Sequence, residues 1–155
     1  MTRHCWRADD GFTAGLEALA FGVLVFVFGT LILVNAWAVV DASFATSAAA
    51  REAVRAVVQA ESTDLTAAQL EARALGAAGQ AFLADGYADT PKLTASSLSL
   101  TRCATVAVTI SMDVHPTIVP GLIEPGAYTV RASHAEVVDP FRSGLDGDGV
   151  DDCAF

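Results

Sequence analysis

From Ala18 to Val40 the chain reads ALAFGVLVFVFGTLILVNAWAVV, a run with no charge in which only Thr30 and Asn35 are clearly polar. At about 1.5 Å of rise per residue such a helix is about 35 Å long, enough to cross a hydrocarbon core of about 30 Å with some tilt. The sequence therefore predicts a single transmembrane helix over residues 18–40. Composition agrees: 53% hydrophobic residues, 17% charged residues and a mean hydropathy of +0.45 depart from a soluble globular domain.

Orientation follows from the basic residues flanking the run. Arg3 and Arg7 precede it, whereas the ten residues after Val40 carry no Lys or Arg. The positive-inside bias puts the short N-terminus in the cytoplasm and residues 41–155 outside. Of the 18 acids only Asp9, Asp10 and Glu17 precede Asp41, and of the 9 bases only Arg3 and Arg7, leaving 15 acids against 7 bases in the outer part. That balance argues against nucleic acid as a partner. A cleaved signal peptide is the competing reading, since Ala36-Trp37-Ala38 fits an A-x-A site and would release a secreted domain; the run exceeds the usual 7–15 residue apolar core, however.

The topology also sorts the three cysteines. Cys5 faces the reducing cytoplasm, while Cys103 and Cys153 share the oxidising side, where a Cys103–Cys153 disulfide is expected. In the chain-entropy picture such a bridge contributes roughly 3–5 kcal/mol. Two free thiols are the alternative.

Beyond the apolar run the helical pattern continues without Pro or Gly through VVDASFATSAAAREAVRAVVQAES, predicting one long helix over 12–60. Its outer half is amphipathic, with Ala50, Val54, Val57 and Val58 on one side and Arg51, Glu52, Arg55 and Gln59 on another. A second helix is expected over 66–84, capped by Asp64 and terminated at Gly86, with Leu70, Ala74, Ala77, Ala78, Ala81 and Phe82 as its apolar face. From Lys92 onward the period changes to alternation, in LTASSLSL, CATVAVTISMDV and AYTVRASHAEVV. In the second of these Val106, Val108, Ile110 and Met112 share a face, as in a half-buried antiparallel strand. The fold class is α+β: a long helix, a second helix and a small antiparallel sheet of about three strands. The Pro-interrupted HPTIVPGLIEPG is a loop whose Ile118, Val119, Leu122 and Ile123 either fold back or form a contact patch.

Few residues offer chemistry. His115 precedes a Pro, His134 alternates within a strand, Cys103 opens one, and none of G-x-S-x-G, H-E-x-x-H, C-x-x-C or a phosphate-cradling glycine loop occurs. No enzyme and no cofactor are expected. The tail DGDGVDD makes one exception for calcium: Asp146, Asp148 and Asp152 alternate with turn-forming glycines, as oxygen-ligand loops require. It resembles the DxDGDGxxD loops of thrombospondin-type repeats, although Gly144 stands where a first Asp belongs. A solvated acidic tail is the competing reading. In the membrane helix, Gly15, Gly22, Gly29 and Ala36 recur every seven residues and stay near one face, where small residues let another helix approach closely in lipid.

Taken in order, these pieces resemble the pilin-like proteins of type IV pilus machinery, most closely the TadE-like minor pseudopilins of the tight-adherence (Tad/Flp, type IVb) system. The carrying residues are a charged leader ending at Gly11, Glu17 before an apolar helix, AAREAVRAVV, VAVTISMDV, PTIVPGLIEPG and YTVRASHAEVVDPF. The resemblance implies a pilin-like fold and a prepilin peptidase that cuts between Gly11 and Phe12. It also implies that Glu17 pairs with a neighbouring subunit's new amine, since a carboxylate in lipid is costly unless paired. The spacing departs by one: GFTAGLE places Glu17 sixth after the cut where the pilin pattern has its acid fifth, and one residue turns a helix by about 100°.

The resulting organisation is a cytoplasmic leader (1–11), the long helix (12–60) with its membrane segment (18–40), an extracellular α+β domain (61–139, with the outer half of the helix) and an acidic tail (140–155). The expected function is a structural or assembly component of a tight-adherence pilus. Its implied partners are other pilin or pseudopilin subunits, the pilus assembly platform, the prepilin peptidase and the membrane. A membrane-tethered extracellular binding or adhesion domain, calcium-stabilised through its tail, is the alternative.

Overall fold

The computed structural model describes residues 10–62, 64–115, 126–145 and Cys153; of residues 10–14, 16, 95 and 96 it describes the backbone alone. The chain is α+β, with two helices followed by three strands among the described residues, and divides into two units, 1–37 and 38–155.

Helix α1 runs Asp10–Val58, 49 residues without interruption. No Gly or Pro occurs between Gly29 and Gly76, so nothing in the sequence forces a kink or a stop within its outer half. Over Leu19–Trp37 its large apolar side chains are exposed apart from the half-buried Leu31, with Phe26 at 74% and Trp37 at 72%. From Ala42 the same helix enters a core. Ala42, Ala45, Ala49, Ala50, Ala53, Val54 and Val57 are buried, while Arg51, Glu52 and Arg55 stay outside. The seam is mostly alanine, which lets the helix backbone lie close to its neighbours. Thr46, fully buried within it, satisfies its hydroxyl on the Ala42 carbonyl one turn back, at 2.6 Å.

The end of α1 is capped by arginines from elsewhere in the domain. The last carbonyls of a helix have no partner inside it. Here Arg73 Nε donates to the Ala56 carbonyl at 2.8 Å and Arg142 Nη1 donates to that of Val58. Both charges also suit the negative end of the helix dipole.

Helix α2 spans Ala67–Ala84. Its N-cap is Thr66, not Asp64 as the sequence suggested: the Thr66 hydroxyl accepts from Gln69 N, and the Gln69 side chain reaches back to Thr66 N at 2.8 Å. Asp64 has the right chemistry but lacks a Glu or Gln three residues on to complete such a box, as position 67 is Ala. The far end follows expectation. Gly86 sits at φ 85°, Gly86 N donates to Leu83 O and Tyr87 N to Phe82 O. This is a Schellman closure, completed by the Phe82 and Tyr87 rings with centroids 6.3 Å apart. Leu70, Ala74, Ala78 and Phe82 are buried; Ala77 and Ala81 are half-buried.

Strands β1 (Lys92–Ser97), β2 (Thr105–Val114) and β3 (Tyr128–Val137) form an antiparallel sheet in the order β1-β2-β3. The central strand alternates as predicted. Val106, Val108, Ile110, Met112 and Val114 are buried and join the α1 and α2 residues in one cluster. Opposite them Thr109 and Ser133 share a hydrogen bond across the strands, at 2.7 Å. Strand β1 is shorter than its sequence pattern implied, because a register shift between Ala95 and Ser97 ends regular pairing and the chain then turns towards Cys103.

The boundary drawn at residue 139 cuts through the domain. Val138 and Leu145 are both buried in the core, and Arg142 caps α1, so the segment after β3 is a packed part of the fold up to Leu145. The residues around Leu145 are Gly, Ser and Asp, which disguise a lone core leucine. The aliphatic loop residues Ile118, Val119, Leu122 and Ile123 lie outside the described residues.

Candidate functional site

The exposed stretch of α1 is the first candidate. Its two polar side chains are satisfied inside the helix: Thr30 Oγ1 donates to Phe26 O and Asn35 Nδ2 to Leu31 O, each at 2.8 Å. A surface of this length with its hydrogen bonds closed internally meets the demands of a hydrocarbon environment. It is the one helix among the described residues long and apolar enough to cross a membrane, a property shared by signal sequences near an N-terminus.

Gly15, Gly22, Gly29 and Ala36 all lie on exposed surface, and a Cβ placed on any of the three glycines would meet no atom within 4 Å. Among the described residues the line of small residues is therefore open. Glu17 is exposed too, and has no partner among the described residues. Gly11 and Phe12 fall in the first turn of α1, which begins at Asp10.

Cys103 and Cys153 are joined in a disulfide with Cα atoms 5.4 Å apart, inside the usual range. Cys103 is held at φ 60°, a left-handed conformation unusual for a residue with a Cβ. Around it Cys103 N donates to Val138 O and Val138 N to Ala104 O, so the bridge starts where the chain leaves β3. The calcium candidates Asp146, Asp148 and Asp152 lie outside the described residues. Among those described, no three His, Cys, Asp or Glu side chains gather as a metal site would require. His115 and His134 are not brought into a shared site with Cys103, whose sulfur is committed to the bridge.

Two titrating groups escaped the sequence reading. Lys92 Nζ and Thr129 Oγ1 both donate to Asp113, holding its carboxyl below the usual carboxylate range. These partners come from β1 and β3, so only the register brings them together. Tyr87 donates to Asp41 Oδ2 at 2.6 Å across 46 positions of sequence. Burial first, then the bond to Asp41 and the negative charges of Asp41 and Asp85, push the Tyr87 hydroxyl up to about 12 from 10.0. A group whose pKa is raised on folding contributes stability that is complete below its unfolded value and is lost as pH rises through the folded one. The advantage of wild type over Tyr87→Phe should therefore be full below pH 10 and shrink towards pH 12, as read by urea unfolding across that range. A difference that stays constant from pH 9 to 12 would contradict it.

No family model, curated protein or solved structure matches this chain.

Proposed function

We propose that this chain is a membrane-anchored structural subunit, a non-enzymatic TadE-like minor pseudopilin of the tight-adherence pilus. One observation carries the reading: a single helix supplies both an apolar exposed stretch at its N-terminal end and the central seam of an α+β domain at its C-terminal end. A helix of that kind suits a subunit stored in the membrane and packed later against other subunits. In this role residues 18–40 span the cell membrane with the N-terminus in the cytoplasm and the disulfide-closed domain outside. The Gly15, Gly22, Gly29 and Ala36 line receives a neighbouring helix, and Glu17 meets the amine of another subunit. The prepilin peptidase creates such an amine by cutting between Gly11 and Phe12. Since both residues are helical here, the cut needs the first turn of α1 to open, which helix ends do readily.

The test is the intact mass of the chain extracted from membranes of its native host. Loss of residues 1–11 is the expected result. Loss of residues 1–38 would identify a signal sequence and remove the anchor altogether, while a chain left whole would point to a tethered binding domain.

A further inference from the structure

Beside the Asp41–Tyr87 bond lies an open depression of about 270 Å³ lined by Asp41, Phe44, Ala45, Ala48, Asp85 and Tyr87. Its floor is alanine, so the backbone of α1 is approachable, and its walls are two carboxylates and two aromatic rings. Neither carboxylate forms an ion pair with a cation among the described residues, where the pairs are Arg55–Glu52 and Lys92–Asp113. The surroundings are apolar: Phe44 is 72% exposed, and Leu83, two residues before Asp85, is 60% exposed. Asp41 is also the residue immediately after the last of the apolar run, Val40.

From this combination we infer that the depression binds the primary ammonium of ethanolamine phospholipids at the outer surface of the membrane. The inference rests on residues 18–40 being the membrane span, which places Asp41, the next residue, at headgroup level. An ammonium ion is attracted by the carboxylates and by the faces of the rings. Asp41, Asp85 and the Tyr87 oxygen are acceptors that a group bearing N–H donors can satisfy and a trimethylated nitrogen cannot.

The experiment uses the full chain, reconstituted in bilayers of equal ethanolamine and choline phospholipid with matched acyl chains. After mild re-extraction, retained lipid is counted by native mass spectrometry. Wild type should keep ethanolamine lipid about five-fold over choline lipid, a preference of the size one carboxylate or ring contact supplies. Asp85→Asn and Phe44→Ala, both changes at surface positions, should bring the ratio close to one. Equal retention by wild type, or a preference untouched in both variants, overturns the inference. A parallel alkaline-carbonate wash separates the two levels of the argument. A chain stripped from the bilayer ends both the anchor and the lipid site, whereas a resistant chain with no lipid preference ends the site alone.

Discussion

Replacing Phe82 by Ala should cost about 3–5 kcal/mol of folding stability, the range for removing a fully buried aromatic ring. Phe82 is among the largest fully buried side chains, at 0% exposure. It does two jobs: it is part of the core cluster that α1, α2 and the sheet share, and its ring meets Tyr87 to close the end of α2. With domains stable by only about 5–15 kcal/mol, the loss is a large fraction of the total. Calorimetry should show the melting temperature falling by roughly 10–20 °C. Leu83→Ala is the matched control, since the neighbouring side chain is largely exposed and its loss should stay within about 0.5 kcal/mol. Equal effects of the two substitutions would mean that α2 packs through a different face.

The second large effect concerns the bridge. Cys103 and Cys153 are separated by 50 positions, and a closed loop of that size restricts the unfolded chain by about 4 kcal/mol at room temperature in the chain-entropy model. Cys153→Ser should lower stability by about that amount, and reductant should bring wild type down to the level of the variant while leaving the variant unmoved. The left-handed backbone at Cys103 sets a limit on the gain, because part of the constraint is spent holding a conformation that costs about 1–2 kcal/mol. A wild-type melt indifferent to reductant would show that the bridge is absent in solution.

How far the sequence announces this molecule differs from element to element. The long helix, the strand alternation of Val106 to Met112 and the Gly86 stop are legible because each depends on local pattern. Local pattern fails where two candidates share the same chemistry, as Asp64 and Thr66 do, and only the reciprocal bond from Gln69 separates them. It fails again in the alanine seam, where Ala42, Ala45 and Ala49 give little contrast with the alanines and serines beside them, although all three are buried. Leu145 and the arginine caps on Ala56 and Val58 are tertiary facts: they depend on which chain segments meet, and no spacing rule encodes that. The candidate site divides likewise. The Cys103–Cys153 bridge matches the pairing expected from the sequence, but the Asp41–Tyr87 pair joins a helix to a loop beyond another helix and could not be read from either stretch. Glu17 and the glycine line are exposed among the described residues, so their packing cannot be read from this chain's own core.

The uninterrupted course of α1 has a mechanical consequence. Within the domain the stretch from Ala42 to Val57 is one helix with no glycine or proline, so it contains no flexible break that would take up a pull along its axis. A pull on that stretch falls on the alanine seam that it contributes to the core. Small side chains resist shear through many shallow contacts, so the arginine clasps at Ala56 and Val58 sit where they can act as detents against axial slip. Within its domain the segment is a stiff element that passes load to the core rather than cushioning it.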